Sequence, residues 1–192
     1  MRWNPSGPFN ASSDWSFLLP DRDAGGGVRG PAADGSSPNV VAMREAIELA
    51  LRGVQEGSGG PFGSVVVREG VVVGRGWNRV TSLNDPTAHA EVVAIRDACQ
   101  QLGIFDLSGC EIYASCEPCP MCLAAIYWSR IGRLFYGCSA QDAAEIGFDD
   151  EVIRRELVSP MDARSLQAEQ VMRQEALAAF EAWRSKPDKR WY

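Results

Sequence analysis

Long apolar runs are absent from this chain of 192 residues. None approaches the roughly 18 consecutive apolar residues that a membrane-spanning helix needs. The N-terminus likewise lacks a basic stretch leading into an apolar one, so a soluble, cytoplasmic protein is expected. Cationic residues are the minority, 19 Lys and Arg against 25 Asp and Glu, for a net charge of −6. Residues 1–40 hold three arginines and four aspartates, which leaves −5 on the remainder. Such a balance removes the usual electrostatic grip on a phosphate backbone and argues against a nucleic-acid partner. The six cysteines are too sparse for a disulfide scaffold, so the thiols are expected to be free or metal-bound in a reducing compartment. Histidine occurs once, at His89, and any chemistry that needs imidazole must use it.

What is present suffices for one core. A hydrophobic fraction of 45% over this length fits a single ordinary domain. Residues 1–40 contain 17 Gly, Pro or Ser and no sustained periodicity. Such a segment buries too little apolar surface to offset its ordering cost. A disordered tail over 1–39 and a folded domain over 40–192 are therefore expected.

Within the domain, Val40, Met43, Ile47, Leu51 and Val54 recur at helical spacing, with Pro38 before them and Gly57 after. The runs 62–67 and 71–77 around Glu69-Gly70 read as a β-hairpin. Asp85-Pro86-Thr87 is a capping cluster for a helix over 88–102 that Gly103 ends, which puts His89 in the first turn. A short buried strand is expected over 111–115, a helix from Pro118 onward, and a strand over 133–138. A helical stretch over 140–146, a weak strand over 166–170 and a helix over 171–184 complete the reading. Strands alternating with helices imply an α/β sheet covered on both faces.

Two clusters carry the chemistry: Thr87-Ala88-His89-Ala90-Glu91, and Cys116-Glu117-Pro118-Cys119-Pro120-Met121-Cys122. One helix and one strand separate them. A helix–strand–helix path sets two helix N-termini side by side at one sheet edge, where His89, Cys119 and Cys122 can converge on one ion. One imidazole and two thiolates leave the fourth tetrahedral position of Zn²⁺ open to water, as catalytic zinc requires. Glu91, two residues past the ligand, is placed to move the water proton without binding metal. His-x-Glu followed by Pro-Cys-x-x-Cys is the zinc deaminase signature. Cys116 reads as a pocket-wall or core thiol, with a spare ligand as the alternative; Cys99, Cys110 and Cys138 read as core.

On these residues the chain resembles the cytidine deaminase-like superfamily, and within it the small zinc-type bacterial guanine deaminases. Further segments that carry the likeness are Gly-Gly-Pro-Phe-Gly (59–63), Asn-Asp-Pro-Thr-Ala-His-Ala-Glu (84–91), Ala-Ile-Tyr-Trp (125–128), Ile-Gly-Phe-Asp-Asp (146–150) and the terminal tyrosine. The resemblance implies a three-layer α/β/α fold around a mixed five-stranded sheet, and a homodimer with exchange of C-terminal segments as a further option. It also implies hydrolytic deamination of guanine to xanthine and ammonia by zinc-bound hydroxide. Carried over by position, His89, Cys119 and Cys122 bind zinc and Glu91 is the acid/base residue. Asn78 bonds the purine, Phe62 and Trp128 flank its ring, and Asp150 with Tyr192 reads the guanine edge. Each of these five also has a structural reading: a strand-end cap for Asn78, core for the two aromatics, a helix cap for Asp150, a frayed end for Tyr192.

Three other functions stay open at this point. A tRNA adenosine deaminase shares the zinc motifs and Ser-Arg-Ile-Gly-Arg (129–133), but its substrate calls for a basic surface. A guanosine deaminase keeps the purine chemistry and admits a ribose. A non-catalytic zinc module would need Cys116 as a fourth ligand and leaves Glu91 without a purpose.

Overall fold

The computed structural model describes residues 38–191. The expected tail over 1–39 lies outside the described residues apart from its last two positions, and Tyr192 lies outside them too. The chain opens with α1 (Val40–Gln55), whose first turn is capped by the Asn39 side chain accepting from the Ala42 N–H at 3.1 Å. A hairpin follows, β1 (Gly63–Arg68) and β2 (Val71–Trp77). Glu69 and Gly70 at its tip both take positive φ, as a tight hairpin turn demands. After a short α2 (Val80–Leu83) comes α3 (Ala90–Leu102), ended by Gly103 at φ +65°. Then come β3 (Cys110–Cys116), α4 (Pro120–Trp128), β4 (Arg133–Cys138), α5 (Ala140–Glu145), α6 (Glu151–Val158), a 3-10 turn at Met161–Ala163 and α7 (Arg173–Ser185).

The strands pair in the order β2-β1-β3-β4. β1 lies antiparallel to both β2 and β3, while β3 and β4 run parallel, joined by α4. Alternation along β1 divides the core between the two faces of the sheet. Val65 and Val67 pack with Ala42, Ala46, Leu49 and Tyr113 beneath α1. Val66 packs on the opposite face with Ile112, Ala94, Ala98 and Ile126, beneath α3 and α4. The sheet is thus covered on both sides, as the strand–helix alternation predicts.

One close approach sets where α3 sits. A Cβ built on Gly76 of β2 would lie 2.1 Å from the Ala90 carbonyl oxygen, and one on Gly74 would lie 2.4 Å from that of Ala94. Backbone therefore rests on backbone at two successive inward positions of the strand. The N-terminal end of α3, which carries His89 and Glu91, is seated against β2 by this contact.

Several expectations need correction. The sheet holds four strands among the described residues, not five. The segment expected as a weak strand, 166–170, runs without regular structure between the 3-10 turn and α7. Its one large apolar side chain, Leu166, is 76% exposed, and Ser-Leu-Gln-Ala-Glu-Gln offers no face to bury. β4 is accordingly the sheet edge, and Cys138, expected in the core, is exposed there. α4 begins at Pro120 rather than Pro118, because Cys119 holds the extended backbone of an N-cap. α6 was not among the expected helices, although a helix cap is one of the readings of Asp150.

Candidate active site

His89 and Cys119 occupy equivalent places in the chain. Each is the N-cap residue of its helix, His89 of α3 and Cys119 of α4, and each has extended backbone (ψ 154° and 167°) that turns its side chain off the helix end. Upstream of His89 the approach is fixed by Asp85, whose Oδ1 accepts from the Thr87 N–H at 2.8 Å and the Thr87 hydroxyl at 2.7 Å. Upstream of Cys119, the Glu117 N–H donates to the Cys138 carbonyl at 2.8 Å, pinning the β3–α4 loop to the end of β4.

The result is a compact donor set. Nδ1 of His89 lies 3.5 Å from Sγ of Cys119 and 3.5 Å from Sγ of Cys122, and all three donor atoms fall within 4.8 Å of one another. Zinc bonds of about 2.1 Å to nitrogen and 2.3 Å to sulfur, at tetrahedral angles, separate such atoms by roughly 3.6 Å. The three residues therefore fit a tetrahedral Zn²⁺ with one position left over. Among the described residues this is the one cluster able to hold a metal ion. Cys116 does not join it: its thiol donates to the Ser139 carbonyl at 3.4 Å, and burial raises its pKa to about 11.

Charge in the cluster follows from its contacts. The Cys119 thiol is held down at about 4, first by a hydrogen bond from the Cys122 thiol and then by His89. The same bond pushes the Cys122 thiol upward, and the bond with Cys119 raises the His89 imidazole. A thiolate at the start of a helix, beside an imidazole, is a ready metal ligand. Glu91, in the first turn of α3, is 7% exposed, and burial lifts its carboxyl above the ordinary range. A carboxyl buried beside the donor set is placed to take up and return a proton next to that cluster.

His89, Glu91 and Cys119 line a cavity of about 430 Å³, a size ordinary for a small-molecule site. Phe62 forms one wall and meets Phe148 edge to face, with ring centroids 5.0 Å apart at 88°. Asp150 also lines the cavity, at the N-cap position of α6, yet its side chain makes no capping bond. Instead its Oδ1 accepts from Arg154 Nε at 2.8 Å.

Asn78 is buried but does not line this cavity. Its Oδ1 accepts from the N–H groups of Gly60 and Val80, each at 3.2 Å. Gly59 makes room for it, since a Cβ there would lie 2.2 Å from that oxygen. Trp128, the last residue of α4, is 71% exposed and does not line the cavity either. The structure thus gathers His89, Cys119, Cys122, Glu91, Phe62 and Asp150 into one site. It also adds residues that sequence reasoning passed over: Phe148, inside the quoted Gly-Phe-Asp-Asp segment, and Glu117, two residues before Cys119.

Residues 37–138 match the family described as the cytidine and deoxycytidylate deaminase zinc-binding region. Over 150 residues the chain is 50% identical to guanine deaminase of Bacillus subtilis, covering 78% of this chain and 96% of that one. The crystal structure of guanine deaminase from Bacillus subtilis superimposes with a TM-score of 0.78 at 48% identity, covering 81% of this chain and 99% of that one. A tRNA-specific adenosine deaminase of Agrobacterium fabrum is also 50% identical, but over 99 residues, half of this chain and 64% of that one. The donor set, the cavity and these likenesses agree, and the chain belongs to the zinc-binding cytidine and deoxycytidylate deaminase family.

Proposed function

We propose that the protein is a guanine deaminase, converting guanine and water to xanthine and ammonia. The observation that carries this reading is the likeness to the Bacillus subtilis enzyme over nearly its whole length, joined to a cavity with a zinc-fitting floor. The tRNA-type likeness stops at half of the chain, and the net charge of −6 gives an anticodon stem little to hold.

In this reading His89, Cys119 and Cys122 hold Zn²⁺. Zn²⁺ held there would supply a Lewis acid that makes water a nucleophile near neutral pH. Glu91 would take one proton from the attacking water and deliver it to a purine ring nitrogen, then take the second from the hydroxyl of the adduct and hand it to the amine, which leaves as ammonia while the carbonyl of xanthine forms. Its burial keeps bulk water from intercepting those protons. Phe62, braced by Phe148, presents an aromatic wall to the flat base. Asp150 accepts from the N–H donors of the guanine edge, which gives the site a partner that analogues lacking those donors leave unpaired.

Asn78, Trp128 and Tyr192 enter the same reading in a second rank. The two backbone donors on Asn78 Oδ1 leave its amide N–H groups for the purine. Trp128 and Tyr192 complete the enclosure when a second subunit is present. We propose a homodimer, with exchange of C-terminal segments as a further option, because α6 and α7 hold no buried residue while exposing Val152, Ile153, Leu157 and Phe180. Residues 40–192 form the catalytic domain, and 1–39 are a tail dispensable for turnover. A reducing, cytoplasmic location suits six cysteines that are all unpaired.

The experiment is ammonia release from guanine, measured alongside zinc content. Guanosine and tRNA are run in parallel, with a gel shift at low and high salt for the latter. Guanine as the preferred substrate supports the proposal, and turnover confined to guanosine or tRNA contradicts it.

A further inference from the structure

We propose that Arg154 is a positioning residue that fixes the Asp150 carboxylate for substrate, an inference resting on the reading of Asp150 as acceptor for the guanine edge. Asp150 stands at the N-cap position of α6, but the capping work is done next door, where Asp149 Oδ1 accepts from the Glu151 N–H at 2.9 Å. The Asp150 carboxylate is therefore not consumed by its own helix. Its one hydrogen bond among the described residues runs from Arg154 Nε to Oδ1, at 2.8 Å, leaving Oδ2 to accept from a ligand.

The same guanidinium reaches off the helix. Its Nη2 donates to the Pro118 carbonyl at 3.5 Å and stands 3.7 Å from Glu117 Oε1. Pro118 immediately precedes Cys119, and Glu117 itself accepts from the Ala140 N–H at 3.2 Å. Arg154 thus spans from the carboxylate on α6 to the loop that presents a metal ligand. The distance between the reading group and the floor of the cavity is set by one rigid, planar fork rather than by a short helix alone.

An ordinary surface pair four residues apart on a helix would make none of these cross-loop contacts. Here the side chains of Asp150 and Arg154 are 20% and 31% exposed, and Asp150 faces the cavity. Loss of a merely helix-stabilising pair would change the melting temperature and leave substrate affinity alone. Loss of a positioning contact frees the Asp150 rotamer, weakens substrate binding and spares the chemistry at the metal.

The test compares Arg154→Ala, Arg154→Lys, Asp150→Ala and the double Asp150→Ala/Arg154→Ala protein with the parent, each loaded with zinc. Guanine KM and kcat are read out, with zinc content and melting temperature as controls. Asp150→Ala is expected to lose roughly 100-fold in kcat/KM, as for a hydrogen bond to a charged group. Arg154→Ala is expected to raise KM roughly 10-fold with kcat within about two-fold, Arg154→Lys to recover part of that loss, and the double variant to be no worse than Asp150→Ala. A silent Asp150→Ala removes the reading on which the proposal stands. A costly Asp150→Ala beside a parental KM in Arg154→Ala, or single losses that multiply in the double variant, overturns the proposal itself.

Discussion

The Sγ of Cys119 stands 3.5 Å from Nδ1 of His89, although 30 residues separate them in the chain. Both are helix N-caps, and the contact exists because α3 and α4 start side by side at one end of the sheet. Metal binding at such a site is coupled to folding, since the unfolded chain has no preformed donor set. Cys119→Ala is therefore expected to lose zinc and melting temperature together. Metal analysis with thermal denaturation checks this, and a Cys119→Ala protein with full zinc would show that the ligand lies elsewhere.

The seat of α3 on β2 can be probed without touching any site residue. A side chain at position 76 has no room, since its Cβ would fall 2.1 Å from the Ala90 carbonyl. Gly76→Ala must push away the helix end that bears His89 and Glu91, and overpacking of this kind costs about 1–3 kcal/mol. A lower melting temperature and weaker zinc retention are expected in one protein. Parental values for both would mean that the helix position does not govern the metal site.

Deletion of residues 1–36 is expected to change neither the melting temperature nor guanine turnover appreciably, because a segment with 17 Gly, Pro or Ser in its first forty residues has little to pack on a core. Calorimetry and a turnover assay on the shortened protein decide it; a large fall in either gives the segment a structural role.

Asp150→Ala and, separately, removal of Tyr192 are expected to reduce guanine turnover while zinc content and melting temperature stay near the parent. In the proposed reading Tyr192 closes over the bound base, excluding water and adding a hydrogen bond from its phenol. Undiminished turnover in both variants would move base recognition to other residues.

How much of this was legible in the sequence depends on the distance over which each signal acts. The donor set was readable because His-x-Glu and Pro-Cys-x-x-Cys are local spacings, and because His89 has no competitor. The hairpin was readable from Glu69-Gly70, and β4 was read with its observed limits. The strand expected over 166–170 was not there, since one leucine among polar residues carries too little periodicity to separate strand from loop. α6 was missed because eight residues that include Arg154, Arg155 and Glu156 look like a solvated stretch until Asp150 and Ile153 are seen on the cavity wall. Asn78 and Trp128 show a different limit: a motif says which residues matter to a family, whereas their place relative to the cavity is set by tertiary packing that no local pattern records.

The account turns on Glu91, buried in the first turn of α3 beside the metal ligands, as the group that moves the proton. The most direct measurement is guanine-dependent ammonia release by the zinc-loaded Glu91→Gln protein, with zinc content and melting temperature recorded on the same sample. An amide keeps the shape of the side chain but can neither take the water proton nor return it. The expected result is parental zinc and folding with turnover reduced by about 10²–10⁴-fold. Ordinary turnover in that variant would contradict the account.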